Sequence, residues 1–353
     1  MIKKINKAAL ILLLLSVSFL ISHCTSENDT KEAAIDIENI KFKLHFERFD
    51  NDIFQAKTAE EILKLEAKYP DFYPVYMYQI MGDITNGNRD PLKAASNWMQ
   101  GFGTIADFGL GLKQRVDSIF PTLEPYKLEL TKAMKRQLYY FPKDTIPTFV
   151  TFVSPLRYEF SNIEGCHMMG IGLDMFLGSD FGPYHFVNPD EFPNYRIRKL
   201  RPDYLLPNTI KAFCQTRMPE LANQSRLIDD MIYEGKLLYW VNALIPETED
   251  SLKLGYTPNQ LKWAQQNESE VWAALVDTKV LYTTQPEEIK HYINEAPFTT
   301  ANGFGMGTAP RIGAYVGWQI IKKYMSKNPK ITLAQLLAEK DTDKILTQSK
   351  YKP

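Results

Sequence analysis

Glu234 and Gly235 stand side by side in LIDDMIYEGKLLYWVNALI, residues 227–245. Apolar residues there recur at helical spacing. A glutamate in that setting can hold a metal ion. The chemistry would be hydrolysis by metal-activated water, and it needs partners. In the common helical arrangement these come from His-Glu-x-x-His, which puts two imidazoles on one helix face with a glutamate between them to activate the water. The five histidines are His23, His45, His167, His185 and His291, and no two stand three, four or five apart. Cys166 and His167 are adjacent, and on a strand they point to opposite faces. With His185 they make a poor ligand set. The sequence assigns no metal, no cofactor and no catalytic residue.

Other reactive patterns are equally incomplete. There is no Gly-x-Ser-x-Gly elbow, and Gly178-Ser179-Asp180 reads as turn chemistry. Gly303, Gly305 and Gly307 follow no strand and lead to no Gly-Lys-Ser/Thr. They read as a flexible loop entering a helix. Asp230 lies one helical turn before Glu234 and could join it in acid–base work. Two readings of Glu234 therefore stay open: an ion-paired residue at the border of a core helix, or a carboxylate lining a site. In either case it needs a partner, because an unpaired buried carboxylate is costly. Glycine inside a helix costs about 1 kcal/mol relative to alanine. Gly235 therefore implies a second backbone passing close by.

The elements that must position these residues can be read from the start of the chain. Lys3, Lys4 and Lys7 precede an apolar core, Ala8–Ile21, that is too short to span a bilayer. The core ends at Cys24, and the polar run TSENDTKE follows. This is the pattern of a lipoprotein signal at residues 1–23, with lipidation of Cys24, and a polar tether at 24–40. Residues 41–353 are expected to form a single globular domain. Cys166 and Cys214 read as two separate core thiols. Net charge is −1, from 41 basic and 42 acidic residues, which argues against a nucleic-acid partner. The basic run RIRKLR, 196–201, reads as a solvated edge.

KFKLHFERFDNDIF, 41–54, begins with strand-like alternation. Residues 56–140 have helical spacing, with Thr58 and Glu61 placed to form a capping box. TIPTFVTFVS (145–154) and HMMGIGLDMFLG (167–178) read as strands. Residues 184–207 read as irregular, and helices return from 208. They are expected at 208–218, 227–245 and 257–282, at PEEIKHYINEA, at APRIGAYVGWQIIKKYM and at TLAQLLAEK. The fold class is α+β, predominantly helical, with a small mixed sheet and a helical C-terminal half.

RFDNDIF, YPVYMYQIMGD, IGLDMFLGSDFGPY, MIYEGKLLYW, GYTPNQLKWAQQNESEVWAALVDTKVLYTT, INEAPFT, PRIGAYVGWQIIKKYM and the final SKYKP together span nearly the whole chain. In combination with the lipoprotein start they resemble the gliding motility lipoprotein GldB family. The resemblance implies a lipid-anchored envelope protein, held to a membrane through its N-terminal lipid and facing the periplasm or exterior. It implies association with the gliding and type IX secretion machinery. A weaker likeness is to gluzincin-like zinc proteases. In these, a Glu-Gly pair supplies the third metal ligand and a Pro-Arg-x-x-x-Tyr-x-x-Gly helix follows. Glu234-Gly235 and Pro310-Arg311…Tyr315…Gly317 fit those elements. The first element has no counterpart, since NTIKAFCQTRMPE, 208–220, carries no histidine.

That combination suggests a gluzincin-like scaffold without its metal site. A groove of Tyr233, Glu234, Gly235, Arg311 and Tyr315 would grip a protein segment. Aromatic residues are 12% of the chain and could serve either binding or the core. An envelope hydrolase with a non-standard site is the alternative function. An exposed tyrosine cluster binding carbohydrate or a small ligand is a third.

Overall fold

Four strands build one sheet: β1 (Phe46–Glu47), β2 (Thr148–Phe152), β3 (Phe160–Ile163) and β4 (Met168–Gly172). Their spatial order is β1-β2-β4-β3. β2 is parallel to both β1 and β4, and β3 runs antiparallel to β4. The two inner strands are buried along almost their whole length. That is why their sequences read as continuous apolar runs and not as alternation.

The computed structural model describes residues 35–82, 90–105, 111–163, 167–186, 189–221, 225–301 and 303–353. The expected signal segment, Cys24 and Cys166 lie outside them. The chain divides into two units, residues 1–39 and 40–353. In the first, described residues 35–39 form a turn in which the Asp36 carboxylate accepts from the Glu38 backbone N–H at 3.0 Å. In the second, six helices precede β2. They are α1 (Phe49–Gln55), α2 (Ala59–Lys68), α3 (Phe72–Val75), α4 (Pro91–Ile105), α5 (Leu112–Ile119) and α6 (Glu124–Tyr140). The alternation read from residue 41 pairs only at Phe46–Glu47. Helix α1 takes over because Phe49 and Ile53, one turn apart, both drop into the core. Thr58 caps α2 by accepting from the Glu61 N–H at 3.2 Å. The Glu61 carboxylate turns instead to the Lys57 N–H, one residue short of the expected box.

Ten helices follow the sheet: α7 (Asn194–Ile197), α8 (Leu205–Gln215), α9 (Leu227–Leu244), α10 (Asp250–Leu254), α11 (Pro258–Gln266), α12 (Glu268–Asp277), α13 (Pro286–Ile293), α14 (Ile312–Lys327), α15 (Leu333–Ala338) and α16 (Thr342–Ser349). The architecture is predominantly helical α+β with a small mixed sheet, as expected. The single helix expected over 257–282 is two. It breaks at Asn267, whose amide donates to the Trp263 carbonyl at 2.8 Å. The Asn267 backbone N–H donates to the same carbonyl at 3.0 Å, and its own backbone, at φ −111° and ψ 16°, leaves the helical region.

Helix α9 is the axis of the C-terminal half. It is buried nearly all round, and Lys236 and Trp240 are enclosed with its apolar residues. The Lys236 ammonium is satisfied by the Glu339 carbonyl. Helix α14 crosses α9 with backbone against backbone. A Cβ on Gly235 would lie 2.3 Å from the Gly317 carbonyl oxygen, and one on Gly317 would lie 1.7 Å from that of Met231. The second backbone implied by Gly235 is α14. Leu237, Leu238, Ile320 and Ile321 on these helices are fully buried. Each such side chain contributes about 1.5–3 kcal/mol. The largest fully buried side chains are aromatic, among them Trp318, Tyr76 and Phe72, so much of the aromatic content is core. Cys214 is a buried free thiol.

Candidate functional site

The turn before α14 determines where Arg311 points. Its φ of 50° is left-handed, a conformation that costs a non-glycine residue about 1–3 kcal/mol. Thr299 holds the turn from below. Its hydroxyl donates to the Ala309 carbonyl at 2.7 Å and accepts from the Ile312 N–H at 3.3 Å. The result is a buried guanidinium aimed at α9. Arg311 Nη2 donates to Glu234 Oε2 at 2.6 Å, Nε donates to the Ile293 carbonyl at 3.0 Å, and Nη1 lies 3.5 Å from Glu295 Oε1. The Arg311 and Glu234 side chains are only 7% and 14% exposed. Burial works against the arginine's charge, but Glu234 and Glu295 outweigh it. Both readings of Glu234 called for a partner, and it has one.

Glu295 carries the network to the surface. Its second oxygen accepts from Lys199 Nζ at 2.7 Å. Burial opposes its ionisation, yet Arg311, Lys199 and Lys211 keep its carboxyl below the usual range. Lys199, Glu295 and Lys211 open onto a cleft of about 470 Å³. Four residues of α8 form one wall: Asn208, Lys211, Ala212 and Gln215. Their spacing of i, i+3, i+4 and i+7 is a single helical face. Glu159 and Phe160 enter at the start of β3, and Tyr195 and Arg196 from α7. Lys253 and Leu254 close the wall at α10. The Arg196 guanidinium is tied to Glu159 at 3.3 Å and to the Glu191 carbonyl at 2.7 Å. Lys253 is tied to Asn242 at 2.6 Å and Asp250 at 3.1 Å.

Lys211 keeps partial solvent access through the cleft. Burial pulls its ammonium down to about 8, with Arg311 adding to the fall and Glu234 and Glu295 opposing it.

The residues expected to share one groove are therefore arranged differently. Glu234 and Arg311 meet, and Gly235 makes the helix crossing behind them. Tyr233 is half-buried beside Glu234 on α9. Tyr315 is buried and points elsewhere: its hydroxyl donates to Glu268 at 2.8 Å, and Tyr351 donates to the same carboxylate at 2.7 Å. The cleft wall is built by other residues, with Glu295 as the link between the two groups. Asp230 has a carboxyl raised by burial, and its Oδ1 has no partner. It does not meet Glu234 across an open cleft. Among the described residues no group of three His, Cys, Asp or Glu side chains could hold a metal ion.

Lys199 and Glu295 were visible in the sequence without a role. Lys199 lies in the basic run read as a solvated edge, yet its side chain is 15% exposed. The polar residues Asn208, Lys211 and Gln215 on an otherwise apolar helix were the signal that could have located the cleft.

Comparison with known proteins gives one match. The family model described as gliding motility protein GldB covers residues 30–353. No curated protein and no solved structure matches the chain.

Proposed function

The chain belongs to the family of gliding motility protein GldB, and from that premise we propose that it works in the cell envelope as a lipid-anchored docking protein. Cys24 carries the lipid. The body faces the periplasm or exterior and contacts gliding machinery and associated type IX secretion proteins, without catalysis. No described helix is long and apolar enough to cross a membrane. We place the attachment at the N-terminal lipid, where several acyl chains are needed to make it stable.

The observation that carries the non-catalytic reading is the Arg311–Glu234 pair. The carboxylate that would be a metal ligand instead holds a buried guanidinium at 2.6 Å. A cation brought to Glu234 meets that charge directly. At about 4 Å and an effective dielectric near 20, the repulsion is about 4 kcal/mol per unit charge. Lys199 and Lys211 add positive charge nearby.

Two measurements test the proposal. Metal quantitation on the purified chain is expected to find no stoichiometric tight metal. A bound metal lost in Glu234→Gln would overturn the non-catalytic part. A photocrosslinking residue at Tyr195, on the cleft wall, is expected to capture one protein that gliding also requires. Absence of any adduct there would remove the docking part.

A further inference from the structure

We infer that the cleft receives a carboxylate borne by a peptide segment, with Lys211 as the cation that anchors it. This deepens the docking proposal and rests on it.

Four cations and four carboxylates line the cleft, Arg196, Lys199, Lys211 and Lys253 against Glu159, Asp190, Glu191 and Glu295. The two carboxylates that act on Lys211 are committed elsewhere, Glu234 to Arg311 at 2.6 Å and Glu295 to Lys199 at 2.7 Å. Lys253 on the same wall is engaged with Asn242 and Asp250. Lys211 alone among these forms no hydrogen bond or ion pair with any described residue; only longer-range charge interactions reach it. Solvent reaches this ammonium through the cleft, but burial still penalises its charge and none of its three donors has a partner among the described residues, so an anion in the cleft stabilises it. With a pKa near 8, Lys211 is mostly charged at neutral pH.

The surroundings select among anions. Glu159, Asp190 and Glu191 stand at the same cleft. They repel a doubly charged phosphate more than a singly charged carboxylate. Phosphate sites also favour bidentate arginine, and Arg196 is already occupied by Glu159 and Glu191. Asn208 and Gln215 flank Lys211 on the same face and offer amide donors and acceptors, the complement of a peptide backbone. Phe160, Leu200 and Leu254 provide an apolar patch for a side chain. The volume lies within the usual range for small-ligand pockets, about 300–1,000 Å³.

Retention of peptide pools on the purified full chain tests this. One randomised pool lacks Asp and Glu and ends in a free carboxylate. A second is identical but amidated. A third is amidated and contains Asp and Glu. At least one carboxylate-bearing pool is expected to be retained about tenfold or more over the neutral amidated pool. The first identifies a chain terminus as the source, and the third an acidic side chain. Lys211→Met should reduce retention to the neutral level, and Lys211→Arg should keep part of it. A thermal melt checks that Lys211→Met is folded. Equal retention of all pools, or retention undiminished in Lys211→Met, overturns the inference. So does competition by inorganic phosphate that exceeds competition by acetate. If no pool binds while the Tyr195 crosslink still forms, the carboxylate anchor is lost and the docking reading stands.

Discussion

Arg311 reaches from the turn before α14 to Glu234 on α9 and donates a 2.6 Å hydrogen bond to its carboxylate. The two side chains are nearly buried, so neither can turn to solvent if the other is removed. The pair joins the two central helices and also fixes the position of Glu295 at the cleft.

Removing one partner should therefore cost far more than removing both. Arg311→Met and Glu234→Met alone are each expected to lose about 3–5 kcal/mol, the penalty of leaving a buried charge unpaired. The double variant should be substantially more stable than the sum of the single losses. Urea unfolding of all four proteins gives the coupling, and strict additivity would show that the pair does not interact.

The helix crossing leaves no room for a methyl group. Gly317→Ala puts a Cβ 1.7 Å from the Met231 carbonyl oxygen, a clash with backbone. The loss should be at least about 1–3 kcal/mol, the usual cost of overpacking. Gly305→Ala is the control, because nothing lies within 4 Å of a Cβ there. Its melting temperature should be unchanged. Equal tolerance of both substitutions would mean that the helices are further apart than described.

Asp174 should give the stability a pH dependence. It is fully buried. Its carboxylate accepts from the N–H groups of Ser154 at 3.1 Å and Leu156 at 2.6 Å. Burial raises it from 3.8 to about 6, against the opposing effect of those hydrogen bonds. The folded protein thus binds this proton more tightly than the unfolded chain. The associated stability is full below about 3.8 and is lost as pH rises to about 6. Between those values Asp174→Asn should gain on the native protein as pH rises. A pH-independent difference between the two would contradict the buried assignment.

Lys211 has the opposite dependence. Its pKa falls from 10.5 to about 8 on folding, chiefly through burial. The stability this group supplies is full above about 10.5 and is lost as pH falls to about 8. Lys211→Met should therefore be more stable than the native chain near neutral pH, with the gap closing at alkaline pH. Thermal melts across that interval read the sign. A Lys211→Met protein that is less stable at neutral pH would mean that the ammonium already has a partner.

Residues with a strong local signature were legible in the sequence. Helix α9, the Pro258 start of α11 and the two apolar inner strands follow from spacing and caps. Gly235 foretold the backbone contact because glycine in a helix has few other uses. Short elements went unread: β3 and α10 are brief, and α16 was missed although Asp341 caps it by accepting from the Lys344 N–H at 2.8 Å. The site was half legible. Glu234 stood out as a residue that needed a partner, but Arg311 and Tyr315 were grouped with it only through the gluzincin-like motif, and the Tyr315 hydroxyl belongs to Glu268. The cleft brings together residues from β3, α7, α8, α10 and the segment after α13. No local pattern records that convergence.

The most direct measurement is colony spreading by a gliding strain whose own copy is replaced by Ala212→Trp, which fills the cleft from the α8 wall. With the protein folded, membrane-attached and present at normal level, spreading should be lost. Spreading equal to that of the native chain, with the cleft filled, would contradict the claim that this cleft holds the partner.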